Sequence, residues 1–215
     1  MMFSRRHLSL AAGMAAAVAL TAGALIASTA EAAPTPEVGT SAPAFSGKTS
    51  TGETVSLSDF EGKTVILEWT NDGCPFVKKH YADPPSNMQS LQKSAAADDI
   101  VWVSVISSRP GAQGHVSPAE ANNLTASRGA APAHVILDES GDIGRLYAAK
   151  TTPHMYIITP EGELAYDGAI DSIPSARVED IAKAENYVTA ALADLDAGKP
   201  VATPTSKPYG CAVKY

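Results

Sequence analysis

The chain is 215 residues long, with a formal net charge of −7 and 18% charged residues. That acidic balance, with no basic cluster larger than Lys78-Lys79, argues against a nucleic-acid partner. Two cysteines, Cys74 and Cys211, are too few for a disulfide scaffold, and no paired Cys-x-x-Cys spacing marks a zinc site.

Ser4-Arg5-Arg6-His7-Leu8 precedes an Ala/Gly/Leu stretch, residues 8–30, that closes on Ala30-Glu31-Ala32. A charged start, an apolar middle and a small-x-small end are the three parts of an export signal. The paired arginines resemble a twin-arginine signal, which implies a bacterial protein sent across the inner membrane. The stretch is long enough to span a bilayer as an anchor. Ala and Gly make it only weakly hydrophobic, so cleavage after Ala32 is expected, into the periplasm or beyond, with no membrane partner afterwards. Cleavage leaves 183 residues at net charge −8, enough for one domain with a hydrophobic core. The expected organisation is an export signal at 1–32, a folded domain at 33–198, and a Pro-rich tail at 199–215 that carries the second cysteine.

Residues 33–45, rich in Pro, Thr and Ser, lead into the domain. Residues 47–57 alternate apolar and polar around Thr51-Gly52 and read as a small hairpin. Residues 64–69 form a first central strand, ended by Asn71-Asp72-Gly73. A helix opens at Pro75, is interrupted at Asp83-Pro84-Pro85, and restarts from Ser86 to about Ala96. Residues 100–106 are a second buried strand. Ser117-Pro118-Ala119-Glu120 matches a capping box for a helix that stops at Gly129. Residues 134–137 are strand-like and 143–148 a short helix. Residues 155–159 and 164–168 make a hairpin across Pro160-Glu161-Gly162-Glu163, and 177–197 read as one long amphipathic helix closed by Gly198. Alternating strands and helices, then a hairpin and a helix, predict an α/β fold with a central mixed sheet flanked by helices.

Cys74 stands out because it follows the strand breaker and precedes Pro75, a residue favoured at the first helical position. A thiol at a helix N-terminus meets unpaired N–H groups and the positive dipole end, both of which favour the nucleophilic thiolate. The chain therefore reads as a redox protein with Cys74 as its nucleophile.

Ala42-Pro43-Ala44-Phe45, Val55-Ser56-Leu57-Ser58-Asp59-Phe60-Glu61-Gly62-Lys63 and Ile66-Leu67-Glu68-Trp69 resemble the opening of redoxins of the peroxiredoxin and thioredoxin superfamily. Gly73-Cys74-Pro75-Phe76-Val77-Lys78 is similar to the active-site turn of the peroxiredoxin-like (AhpC/TSA-type) branch. Thr151-Thr152-Pro153-His154-Met155-Tyr156 resembles that superfamily's cis-proline segment. The resemblance spans roughly residues 41 to 197. It implies a thioredoxin-like fold with an extended C-terminal tail, antioxidant thiol chemistry at Cys74, and a cis bond before Pro153. It also implies supporting positions at Glu68, Trp69, Asn71, Pro75, Thr152 and Pro153, with the Thr152 backbone available to an extended peptide.

The chain departs from both parents. Val77 stands where thioredoxins carry their second cysteine, so no local thiol is in place. Asn71 and Leu67 stand where peroxiredoxins carry Thr or Ser and Pro, which puts peroxidase activity in question. Glu68 lies where thioredoxins bury a carboxylate. It either serves as a buried proton acceptor or faces solvent, paired with Lys63 or Lys78. Lys78 and Lys79 read as a solvated helix face.

Cys211 lies 13 residues past Gly198 in a tail punctuated by Pro200, Pro204 and Pro208, hence extended and long enough to cross the domain surface. In an oxidising compartment two thiols within reach pair, so Cys211 is expected to resolve Cys74 through a Cys74–Cys211 disulfide. The substrate would be a peroxide or a protein disulfide, and an external thiol would act as reductant. No Gly-rich nucleotide loop is present, so no organic cofactor and no metal are expected. The alternative is a periplasmic copper carrier or chaperone on the same fold, with Cys74, Cys211 and His154 as soft ligands.

Overall fold

The computed structural model describes residues 1–2 and 36–215. The export signal expected at 1–32 thus lies outside the described residues, apart from its first two. A hairpin of β1 (Ser46–Lys48) and β2 (Thr54–Ser56) leads through a 3-10 turn at Leu57–Phe60 to β3 (Val65–Trp69). Pro75 then opens α1 (Pro75–Tyr81), and the Asp83-Pro84-Pro85 break separates it from α2 (Asn87–Ala97). There follow β4 (Val101–Ile106), α3 (Pro118–Ser127), β5 (His134–Leu137) and α4 (Asp142–Leu146). The expected capping box is in place: Glu120 N–H donates to Ser117 Oγ while Ser117 N–H donates to the Glu120 carboxylate. The chain closes with β6 (Thr151–Thr152), β7 (His154–Ile158), β8 (Leu164–Gly168), α5 (Tyr187–Asp196) and β9 (Cys211–Ala212).

Five strands form the central sheet in the order β5-β4-β3-β7-β8. β3 runs parallel to β4 and β4 to β5, whereas β3–β7 and β7–β8 are antiparallel. β3 is central and buried at every position, as a strand covered on both faces should be. Its alternation sorts the core. Val65, Leu67 and Trp69 join Phe45, Val103, Val105, Ile136, Tyr147 and Tyr156 on one face. Ile66 packs with Met88, Trp102, Met155, Ile157 and Val188 on the other. The bond between Thr152 and Pro153 is cis, as the resemblance implies.

One element differs from the sequence reading. Residues 177–197 are not one helix. A 3-10 turn at Val178–Lys183 ends in an extended Ala184, and α5 begins only after Asn186, whose side chain caps Thr189 N–H at 3.0 Å. The backbone of the break pairs with the segment after β8: Ser172 N–H donates to Glu185 O at 3.0 Å and Tyr187 N–H to Ile170 O at 3.0 Å. Those tertiary bonds, with the cap, replace the intrahelical ones that an amphipathic pattern alone promised.

Candidate active site

The turn after β3 is built by Asn71. Its Oδ1 accepts from Gly73 N–H at 2.8 Å and its carbonyl from Cys74 N–H at 3.1 Å, a side chain standing in for backbone in a tight turn. Cys74 is the N-cap of α1 in extended conformation, and Pro75 follows at the first helical position. Its side chain is fully buried. As a thiol it donates to Thr152 O at 3.1 Å, across to the cis-proline segment.

The other wall of the site is the tail. β9 pairs antiparallel with β6, setting Cys211 opposite Thr152 and Ala212 opposite Thr151. The Thr152 hydroxyl donates to Cys211 O at 3.5 Å. This register brings the two thiols, 137 positions apart in sequence, to the two sides of Thr152, and both are free.

Their acidities diverge. Burial pushes the Cys74 thiol up. The hydrogen bond from the Cys211 thiol, the Val77 and Cys211 N–H groups and the Thr152 hydroxyl outweigh it, leaving the thiol below its usual range. Cys211 moves the opposite way, to about 11, through burial, its hydrogen bond to Cys74 and the Cys74 charge, with Lys214 offsetting part. One thiol is disposed to ionise while the other keeps its proton and donates it. Val77, which stands where a second cysteine would, is fully buried and places no thiol there.

Three expected positions, Glu68, Trp69 and Asn71, lie in different surroundings. Glu68 is fully buried, which settles its two readings in favour of the interior; Lys63 pairs instead with Asp99 at 2.7 Å. Its carboxylate accepts from Tyr81 OH at 2.9 and 3.0 Å, Trp102 Nε1 at 2.9 Å, Ser104 Oγ at 2.9 Å and Gln92 Nε2 at 3.3 Å. Burial still holds its pKa above the usual carboxylate range, against the lowering by Trp102, Tyr81, Ser104 and Arg128. Trp69 is a core residue: its Nε1 donates to Ser107 Oγ at 3.0 Å and its ring packs on Tyr147 and Tyr156. Asn71 has its amide nitrogen committed to Gln113 O at 3.1 Å, which ties down the 111–115 loop.

Lys79 corrects the sequence reading. It is not a solvated lysine but a buried one, 2.9 Å from Asp171, with further bonds to Ile173 O at 3.2 Å and Tyr209 OH at 3.3 Å. Beside it His80 is buried between Tyr209 OH at 3.3 Å and Asn87 Nδ2 at 2.9 Å, and burial lowers its pKa to about 4 even though Asp171 opposes that. Adjacent lysines on a short helix carry no sign that one turns inward. The faint signal was Asp171 within the apolar Gly168-Ala169-Ile170 context.

His154, the third ligand of the copper alternative, has both ring nitrogens engaged. Nε2 is 2.7 Å from Asp167, while Nδ1 meets Tyr156 OH at 3.1 Å and Lys150 N–H at 3.3 Å. Among the described residues no group of three or more His, Cys, Asp and Glu side chains is arranged to hold a metal ion.

Among solved structures, an uncharacterized conserved protein from Geobacillus kaustophilus matches with TM-score 0.69 and 24% identity, over 83% of this chain and 92% of its own. A hypothetical protein from Sinorhizobium meliloti 1021 matches with TM-score 0.69 and 20% identity, over 85% of this chain and 96% of its own. At these identities the likeness is one of fold. No curated protein matches the chain. The profile of the AhpC/TSA family matches residues 38–167, a span that includes the Cys74 turn and the cis-proline segment but stops short of the tail. By that match the chain belongs to the AhpC/TSA family, and its chemistry is that of a thiol oxidoreductase in the general sense.

Proposed function

We propose that the protein is an exported two-cysteine thiol oxidoreductase, with Cys74 as the nucleophile and Cys211 as the thiol that resolves it. What supports this above all is the meeting of the two thiols across the β6–β9 pairing, with opposite shifts in acidity. The Cys74 thiolate attacks one sulfur of a substrate disulfide; that S–S bond breaks, and one substrate thiolate leaves. Cys211, deprotonated as it reacts, attacks Cys74 Sγ, expelling the second substrate thiolate and leaving the Cys74–Cys211 disulfide. The substrate gains two electrons and the protein loses them, and an external thiol reductant reopens the bond. Export through residues 1–32 would place this chemistry in an oxidising compartment.

A peroxide is the second oxidant, favoured by the family match. There the thiolate takes the distal oxygen, the O–O bond breaks with loss of hydroxide or alkoxide, Cys74 becomes a sulfenic acid, and the Cys211 thiol condenses with it, releasing water and forming the same disulfide. Asn71 holds Gly73 N–H with its carbonyl and Gln113 O with one of its two amide hydrogens, so its side chain is fixed by the turn and the 111–115 loop, and the disulfide route is the primary reading.

Peptide mapping of protein oxidised by a disulfide or by hydrogen peroxide tests both. The expected product is an intramolecular Cys74–Cys211 disulfide, absent in Cys74→Ser, with Cys211→Ser trapped as a mixed disulfide or sulfenate. Two free thiols after oxidation, or pairing only between chains, would refute the resolving role.

A further inference from the structure

β6 has two residues and forms a ribbon with the tail strand β9. Nothing about a resolving thiol demands that arrangement, since a flexible tail could deliver Cys211 without pairing. Here the tail is seated along its length. Gly210 takes φ +140°, and a Cβ there would lie 2.0 Å from Thr152 O, so the strand arrives with bare backbone against the carbonyl that also accepts from Cys74. Tyr209, two residues before Cys211, lies edge-on to Phe76 at 5.8 Å between ring centres, with Lys79 Nζ 5.5 Å from its ring centre. Its hydroxyl bonds Asp171, Lys79 and His80, three charged or titratable side chains that are all buried and that the thiol chemistry does not use. Beyond Cys211, Val213 N–H donates to Lys150 O at 3.1 Å, and Tyr215 OH donates to Ala149 O at 2.7 Å with its ring against Gly144.

We propose that the tail is a tethered stand-in for the protein's substrate strand, occupying a peptide-docking edge at Thr151–Thr152 and latched there by Tyr209. The proposal rests on the reading of Cys74 as the nucleophile. An extended cysteine-bearing segment of a partner adds to β6 as the tail does, by strand pairing. Its fitting sequence is an aromatic residue, glycine and then cysteine, because the seat has an aromatic–cationic pocket two residues before the sulfur and no room for a side chain at the position between. Partner and tail cannot sit together. Cys74, with no exposed surface while the tail is in place, meets a partner only after Tyr209 leaves its pocket. Return of the tail then delivers Cys211 to the mixed disulfide and ejects the partner.

The test compares reduced wild type with Tyr209→Ala, Tyr209→Phe and Gly210→Ala, full length, each checked for native far-UV circular dichroism. Iodoacetamide labelling of Cys74 is read by mass spectrometry. The second probe is the disulfide-linked dimer of acetyl-Tyr-Gly-Cys-Ala-amide, against acetyl-Ala-Ala-Cys-Ala-amide. Release of the latch in Tyr209→Ala and Gly210→Ala should speed Cys74 labelling at least about tenfold, as expected when a local opening equilibrium shifts. Tyr209→Phe, which keeps the ring, should fall between them and wild type. With the seat vacated in Tyr209→Ala, the Tyr-Gly-Cys dimer should react at least about fivefold faster than the Ala-Ala-Cys dimer, as a filled aromatic pocket would give. Labelling at the wild-type rate in folded Tyr209→Ala and Gly210→Ala, or equal rates for the two dimers, would overturn the proposal. Gated labelling in a protein that never forms the Cys74–Cys211 disulfide would support the latch while rejecting the resolving role.

Discussion

Glu68 gives a prediction whose sign is fixed by its surroundings. The carboxylate is fully buried, and burial holds its pKa above the usual range despite its donors. In the unfolded chain the same group titrates near the ordinary value of 4.5. Between those two pKa values the folded state binds one more proton than the unfolded state. Stability is therefore greatest below the unfolded value and falls as pH rises through the window, with a slope of about 1.4 kcal/mol per pH unit from this one group. Glu68→Gln removes the slope with little change in geometry. Oε2 accepts from Tyr81, Gln92, Trp102 and Ser104, whereas Oε1 meets only the Tyr81 hydroxyl. A glutamine with its carbonyl at the first position and its NH2 at the second keeps every partner, since a hydroxyl accepts as readily as it donates. Urea unfolding of both proteins from pH 4 to about 9, followed by the emission of Trp69 and Trp102, measures the difference. Glu68→Gln minus wild type should be flat at the acid end and rise by about 1.4 kcal/mol per pH unit before levelling off at the folded pKa. A difference that is independent of pH, or that falls with pH, would refute the account of Glu68 as a carboxyl group whose pKa burial raises.

Two further outcomes follow from the same kind of reasoning. Lys79→Met leaves Asp171 buried without its cation and should lower the unfolding free energy by about 3–5 kcal/mol, while Lys79→Met with Asp171→Leu should recover most of it; similar stabilities for the single and double variants in urea would contradict the pairing. The Cys74 thiolate, followed by its ultraviolet absorbance against pH, should have a midpoint below the free-thiol value of about 8.5. Cys211→Ala should raise that midpoint, because it removes the thiol that does most to lower it. Equal midpoints would show that Cys211 does not stabilise the thiolate.

Much of the sheet was legible because its signals are local. β3 and β4 announce themselves as short apolar runs between breakers, and α3 through Ser117 and Glu120, whose mutual bonds need nothing beyond four residues of chain. The break at 184–186 was not legible, because the bonds that replace the helix come from residues 170–172, on the far side of a loop. Cys74 belongs with the local features. Its turn, Asn71 through Pro75, is written in consecutive residues, and Asn71 builds that turn with its own side chain and carbonyl.

The tail shows where such reading stops. Three prolines spaced four apart rule out a helix, and that much the sequence states. Where an extended segment lies depends on what receives it, and the receiver is assembled from Lys79 and His80 on α1, Asp171 after β8, and Thr152 beside the cis-proline. Each of these has an ordinary local reading: a lysine pair, a helical histidine, a loop aspartate, a strand-end threonine. Only their convergence makes a pocket for Tyr209 and an edge for Cys211. The same convergence lets a tail outside the 38–167 family match supply the site's second thiol. Exchange chemistry needs a sulfur at the right point more than it needs a fixed place in the chain for that sulfur. With Val77 in place of a local partner, the docking of residues 209–215 becomes the feature that determines whether Cys74 meets Cys211 first or an external thiol.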